Sequence, residues 1–542
     1  MNNLKNLFIK EKRLILYSAI LAVPFAGFFV VGQVLQKNQY LSCFGMKDIL
    51  LFLTGVAIMT IGIMGVLKSL SRFSDKNKIR SDSSIFTQFL VHHTFLISFI
   101  IIMICYIPPY FAAFPGVFSY DAPHQVWQFV TGNIKNNQPV VSSAIIYHTM
   151  LIGKKIFGNW EGAVGIYVVL QMIFAAVTFS YILKLLYRKT NSKVIYGIAL
   201  AFFALHPMNH LFVVNCAKDV AYAYFTVWVI LFFGEGLREQ GKYFRKNEIC
   251  IFLTIALFLF LFYRNNSIYA LILFVPVALI YYKYARKRLL VIFAVTIGVY
   301  YLVTGPIYSY YDLASGNKLN EMLAIPSQQI VNTYIKYGDE FTKEEKDIIV
   351  SVFPTEEISE YMLMYKPENS DMIRPLLKSN RISEMGLGHF IKIWVQLGIK
   401  HPISYIEAAL NNTRGYWYLF HEISGENSDR YIEYTNSQYE VGIHTERYPI
   451  LKGLAEKYYK IGEEYSLGKI KGLSWLFSMA STLYLYLLLI CFTCYRKDYK
   501  VLIALFIPMA LYLTVFAGPL ALLRYIYPMT LSLPYLWGIA LE

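Results

Sequence analysis

Two short stretches bring together residue types that could do acid–base and phosphate chemistry. In FPGVFSYDAPHQVWQF, residues 114–129, one carboxylate, Asp121, is followed closely by His124 and Gln125. In NCAKD, residues 215–219, Lys218 and Asp219 stand side by side. Arg264 (FYRNNS) and Arg524 (LLRYIYP) each interrupt apolar sequence further along. An isolated acid among aromatics can have its pKa raised by desolvation, and can then take a proton from a hydroxyl as a general base. Asp followed by Ala-Pro also opens a helix well, so the same carboxylate is expected to cap one. Arginine at membrane depth is costly and tends to mark function, and its fork suits a phosphate. Against this stands plain snorkelling of Arg264, Arg524 and Lys218 at the interface, and a local ion pair within Lys218–Asp219.

Other candidates are weaker. His206 and His210, in ALHPMNHLF, sit at i, i+4 on one helical face, a spacing compatible with a metal, but Pro207 breaks that helix between them. With Asp219 they are the only metal-ligand candidates, and a divalent metal is the one cofactor the sequence suggests. His148 is a further candidate for positioning an acceptor. Cys491 and Cys494 form a lone CxxC without a second pair, so neither zinc nor redox use is expected. Gln328, Gln329, Tyr365, Asp371, Trp394 and Trp417 could hold a sugar by hydrogen bonds and stacking, although such aromatics more often serve a core.

The elements that must position these residues are apolar helices. Of 542 residues, 56% are hydrophobic and 16% charged, with a mean hydropathy of +0.44. A soluble domain averages about 25% charged residues, so this is a polytopic, all-α membrane protein with the lipid bilayer as a partner. Twelve spans are expected: Leu14–Val34, Ile49–Leu67, Thr87–Tyr110, Glu161–Leu183, Val194–Val214, Val220–Phe233, Ile249–Phe262, Ile268–Tyr282, Leu289–Thr304, Leu473–Cys494, Val501–Phe516 and Leu520–Leu541. Val140–Gly158 is expected to lie in the interface instead.

The net charge of +15 does not indicate nucleic acid, because of where it lies. Residues 306–472 hold 23 acidic and 18 basic residues, so the excess is elsewhere, in short loops. Those loops include Lys68, Arg72, Lys76, Lys78 and Arg80; Arg188, Lys189 and Lys193; Lys283, Arg286, Lys287 and Arg288; and Arg496, Lys497 and Lys500. Basic loops face the cytoplasm, which puts both termini there. Asp121, Lys218–Asp219, Arg264 and the 306–472 segment then fall outside. The expected organisation is a transmembrane domain over 1–305, with a catalytic loop at 111–160, a mainly helical extracytoplasmic domain over 306–472, and three closing helices over 473–542.

With Asp121 in PGVFSYDAPHQ after an early span, an interfacial helix at Val140–Gly158 and Lys218–Asp219 in a later external turn, the chain resembles the C superfamily (GT-C) of membrane glycosyltransferases. It is similar, more closely, to a bacterial membrane family, mostly of Gram-positive origin, marked by PG…D…Q, a KD pair and an IPSQQI segment (325–330). The resemblance implies a polyprenyl-phosphate sugar as donor and a cell-envelope glycan or teichoic acid-like polymer as acceptor. Asp121 would be the base, and Lys218, Arg264 and Arg524 would take the donor phosphate. His124, Gln125, Asp219 and His148 would position the acceptor or the base. The chain departs from the superfamily in its two extra leading helices, in the late placement of its outer domain and in a single loop acid. Two other functions compete with this one. A glycan ligase or polymerase would use Arg414, His421 and His444 in the outer segment, whereas a lipid-linked sugar flippase would show mid-helix charges and related halves.

Overall fold

The computed structural model describes residues 2–77, 85–313, 318–354, 357–423, 430–437, 443 and 445–542; Lys78, Arg80 and His444 lie outside these. Among the described residues the fold is helical, with isolated backbone bridges and no strand. The first part runs α1 (Asn2–Asn38), α2 (Met46–Asn77), α3 (Ile85–Ala113), α4 (Ala122–Thr131), α5 (Val140–Phe157), α6 (Trp160–Thr190), α7 (Lys193–Leu205), α8 (Pro207–Val213), α9 (Lys218–Glu235), α10 (Asn247–Tyr263), α11 (Ser267–Tyr281) and α12 (Arg286–Leu302). The bundle closes with Ala480–Arg496, Val501–Phe516 and Leu523–Leu541.

Among the described residues six helices are long and apolar enough to cross a membrane: α1, α2, α3, α5, α6 and the helix beginning at Arg286. Counting each of two bent pairs as one span, α7 with α8 at 46° and α9 with Arg238–Arg245 at 113°, the number is up to eight. This is the architecture of a helical membrane protein. Each of the twelve expected segments contains helix, but α10, α11, Ala480–Arg496 and Val501–Phe516 have only 15 to 17 residues. Conversely α5, expected in the interface, meets the length and hydropathy of a span. The α7–α8 bend falls at His206–Pro207, where proline removes a helical donor.

The bundle interior is dense in tyrosine, and many of these hydroxyls are spent on backbone carbonyls. Tyr106 Oη donates to Phe203 O at 2.9 Å and Tyr282 Oη to Phe233 O at 2.7 Å. Each such bond satisfies the polar tip while the ring fills the core. The 306–472 segment has two parts. Leu323 to Tyr405 build a hydrophobic core of their own. Tyr416, Trp417, Ile432, Tyr434 and Tyr458 pack into the core of the bundle instead.

Charged residues gather at both ends of the bundle. At one end Arg13 bonds Tyr495 O at 2.9 Å, Arg496 pairs with Asp75 at 3.0 Å, and Lys189 pairs with Glu235 at 2.9 Å and with Glu542 at 3.3 Å. The opposite end carries the 306–472 segment, and there the residues after α3, before α9, between α10 and α11, and before Leu523–Leu541 converge.

Candidate active site

At the insert end the chain leaves α3 through Pro115 and Gly116. Gly116 has φ +151, and a Cβ there would lie 2.5 Å from Val168 Cγ2 and 2.9 Å from Val164 Cγ1. The missing side chain lets this loop press against α6. Val117 N–H donates to Val214 O at 2.8 Å, and Cys216 N–H donates back to Val117 O at 2.9 Å. The two stretches singled out in the sequence are thus stitched backbone to backbone. Asn215 Nδ2 adds bonds to Ser119 Oγ at 2.8 Å and to Glu433 O at 2.9 Å.

A chain of alternating charges results. Lys218 Nζ lies 2.7 Å from Asp121 Oδ2 and also donates to Gln138 Oε1. Arg524 Nη1 lies 3.7 Å from Asp121 Oδ2 and 3.5 Å from Asp219 Oδ2. Arg264 Nη1 lies 3.3 Å from Asp219 Oδ1. Two carboxylates therefore face three cations from four separate parts of the chain. Lys218 and Asp219 do not pair with each other. As successive residues of α9 they point in different directions, Lys218 to Asp121 and Asp219 to the arginines.

Aromatic rings hold the arginines. The Arg264 guanidinium lies 4.2 Å from the Tyr525 ring centre, and that of Arg524 lies 4.3 Å from Tyr120 and 5.1 Å from Tyr525. Cation–π contact fixes the planes while leaving N–H edges free. Asp219 is 2% exposed; its Oδ2 and Arg524 Nη1 meet only as an ion pair at 3.5 Å, and buried Arg524 Nε makes no hydrogen bond among the described residues. Buried polar atoms are normally satisfied, so an atom like this points to a ligand.

A family model described as a family of unknown function, DUF6020, matches residues 108–538. The chain belongs to DUF6020. No curated protein and no solved structure matches it. The DUF6020 region takes in every residue of the charge chain and leaves α1, α2 and most of α3 outside.

The cluster corrects two expectations for the DUF6020 acid. Asp121 is the residue before α4, but its side chain makes no capping bond; it has turned to Lys218. Its pKa is not raised. Burial alone would lift it, but Lys218, and after it Arg524, outweigh burial and hold the carboxyl well below the usual carboxylate range.

Gln125 is buried and donates to Ser143 Oγ at 2.8 Å, which locks α4 to α5. His124 stacks on Trp127 and reaches Gln128 at 2.9 Å. His148 is exposed on α5 and lines an apolar groove of about 1000 Å³ between α5 and the end of α12, away from the charge chain.

The metal candidates do not assemble. Among the described residues no group of three or more His, Cys, Asp or Glu could hold a metal ion. His210 uses both ring nitrogens, on Tyr458 Oη and Ala204 O at 2.7 Å each, and His206 caps α8 through Met208 N–H. Asp219 is neutralised by two arginines. This donor set does not fit a divalent ion.

The residues considered for sugar contact are mostly absorbed by the insert. Gln328 bonds Lys366 O, Gln329 accepts from Trp394 Nε1, Trp417 donates to Thr413 Oγ1, and Asp371 pairs with Arg374. Arg414, 3% exposed, pins the insert to α1 through Leu35 O at 3.1 Å and contacts His421 at 3.4 Å. Burial, reinforced by Arg414, pushes the His421 pKa down to about 3, so this imidazole is neutral.

Sequence reading missed four contributors: Tyr120, Gln138, Glu433 and Tyr525. Glu433 Oε2 accepts from Tyr120 N–H at 2.9 Å, and its own N–H donates to Tyr120 Oη at 2.8 Å. Tyr120, at φ +54, is thereby held in a left-handed turn with its ring against Arg524. Tyr525, next to Arg524 in RYIYP, offered a signal; Glu433 offered none, standing 313 residues from Tyr120.

Proposed function

We propose that this protein is an integral membrane glycosyltransferase of the GT-C type. It would move a sugar from a polyprenyl-phosphate donor to a cell-envelope glycan or teichoic acid-like acceptor. The supporting observation is the charge chain Lys218–Asp121–Arg524–Asp219–Arg264 at one end of a membrane bundle, with buried Arg524 Nε left without a hydrogen bond. In this proposal the basic residues of the opposite end face the cytoplasm, and this cluster and the 306–472 segment lie outside. On this reading the bent and short helices complete twelve spans within the protein-lined interior.

The pairing of Asp121 suggests how transfer would be timed. In the free protein Lys218 and Arg524 keep Asp121 ionised and only weakly basic. A lipid phosphate has a stronger claim on the same cations, Arg264 included. As they turn to the phosphate, Asp121, only partly buried, loses the counter-ions that hold its pKa down, so the pKa rises toward that of a useful base. It then takes the acceptor hydroxyl proton as that oxygen attacks the anomeric carbon. The bond from that carbon to the phosphate oxygen breaks, and the cations stabilise the negative charge gathering on the departing polyprenyl phosphate. Attack opposite the leaving group inverts the anomeric centre. His124 and Gln125 flank the base, Gln125 by fixing α4 against α5.

A ligase or polymerase centred on Arg414 and His421 is less favoured, because both are buried and Arg414 is committed to α1. Reconstitution with labelled polyprenyl-phosphate sugars tests the proposal. Transfer that fails with Asp121→Asn supports it; transport of the intact lipid without cleavage of the sugar–phosphate bond would falsify it.

A further inference from the structure

The helix Leu387–Lys400 has three faces, one more than a simple surface helix needs. Phe390, Ile393 and Leu397 face the core of the insert. His389, Lys392, Gln396 and Lys400 form an exposed polar face. Leu387, Ile391, Val395 and Ile399, each four residues from the last, form an exposed apolar stripe, with Ile399 at 77% exposure. The next helix, Pro402–Thr413, continues it with Ile403 and Ile406, both more than half exposed. An apolar surface of this extent is unusual on a protein face bathed in water.

Its place is fixed by the membrane bundle. Glu407 Oε2 accepts from Leu41 N–H at 2.8 Å, and Asn411 Nδ2 donates to Gln39 O at 2.9 Å. At the other end of Pro402–Thr413, His401 stacks on Tyr337 at 4.4 Å. The neighbouring Lys336 lies with its Nζ 4.2 Å from the Tyr40 ring centre. The helix is therefore tied to the residues that follow α1 directly through Glu407 and Asn411, and through Lys336, which pairs with Glu407. Those residues lead through exposed Tyr40, Phe44 and Met46 into the apolar, largely unburied surface of α2, which is a candidate span.

We infer that Leu387–Lys400 and Pro402–Thr413 form an interfacial anchor that seats the insert on the bilayer leaflet at its own end of the bundle. The occupant of the stripe is the lipid surface, because Glu407 and Asn411 hold its helix to the residues that lead directly into α2, a candidate span whose surface is largely unburied. The polar face turns to water and the core face to the insert, as in helices that lie in the plane of a membrane interface. The anchor holds the Leu323–Tyr405 module at a constant height above the membrane. It rests on the placement of the insert and is independent of the transfer chemistry.

The test uses the full-length protein in nanodiscs of phosphatidylglycerol and phosphatidylethanolamine. A photo-crosslinking amino acid is placed in turn at positions 391, 399 and 396, and adducts are read by mass spectrometry. Lipid adducts at 391 and 399, with their loss at 396, are expected. Crosslinks at 391 and 399 to a second copy or to another protein would overturn the inference. So would labelling at 396 equal to that at 399, or no adduct at either apolar position in protein that elutes as folded.

Discussion

Lys218 Nζ lies 2.7 Å from Asp121 Oδ2 although the two residues stand 97 positions apart. The contact exists because the loop after α3 and the loop before α9 share backbone bonds between Val117, Val214 and Cys216. Arg524 extends the contact to Asp219, and Asp219 extends it to Arg264. The cluster is a circuit of competing ion pairs, in which any anion that draws one cation away alters the others.

Removing a carboxylate should therefore do more than remove a charge. Asp219→Asn leaves Arg264 and Arg524 facing each other without their shared counter-ion. Breaking a buried pair by deleting one partner costs about 3–5 kcal/mol. A lower melting temperature in detergent is expected. The double variant Asp219→Asn, Arg264→Gln should lose less than the sum of the single changes, with a coupling of about 0.5–3 kcal/mol. Additive losses would show that Arg264 and Asp219 do not interact.

Stability should depend on pH in a defined sense. The Asp121 pKa is lowered in the folded protein, so its ion pairs add stability above the unfolded value, about pH 4. That stability is lost as pH falls through the lower folded value. Lys218→Ala removes the main opposing charge and leaves burial to raise the pKa. The acid decline of the melting temperature should then move to higher pH than in the wild type. An unchanged profile would mean that Lys218 does not set the ionisation of Asp121.

Donor binding should have the same consequence in the native sequence. The acid limb of kcat/KM reports the free protein and that of kcat the donor complex. If the phosphate draws Lys218 and Arg524 from Asp121, the kcat limb lies at higher pH than the kcat/KM limb. Coincident limbs would contradict release of the base by the donor.

The hold of Glu433 on Tyr120 should be separable from the charge chain itself. Glu433→Ala leaves the part-buried Tyr120 N–H without its acceptor, a loss of about 1 kcal/mol. The expected result is a lower melting temperature and a weakened hold on Arg524, read as a rise in KM larger than any fall in kcat.

Much of this site could be read from the sequence. Asp121, Lys218, Asp219, Arg264 and Arg524 stand out because charge is scarce in apolar surroundings, and charge at a helix end is conspicuous whatever the fold. What those charges touch could not be read. The expected raised pKa of Asp121 assumed desolvation without partners, and the structure supplies two cations at close range. The expected cap assumed the nearest backbone amides would take the carboxylate, and Lys218 competes for it. Length and hydropathy pick out six to eight of the twelve expected spans among the described residues, because several of the apolar segments are bent or short. Glu433, Asn215 and Gln138 carried no local signal, since each acts through contacts that only the closed bundle creates.

The central claim is that Asp121 serves sugar transfer from a polyprenyl phosphate. The most direct measurement is release of polyprenyl phosphate from labelled polyprenyl-phosphate hexoses by the reconstituted protein with an envelope-glycan acceptor, comparing wild type with Asp121→Asn. Loss of a general base should lower the rate by about 10²–10⁴-fold, with the variant still folded in the membrane. Undiminished release by Asp121→Asn would contradict the account.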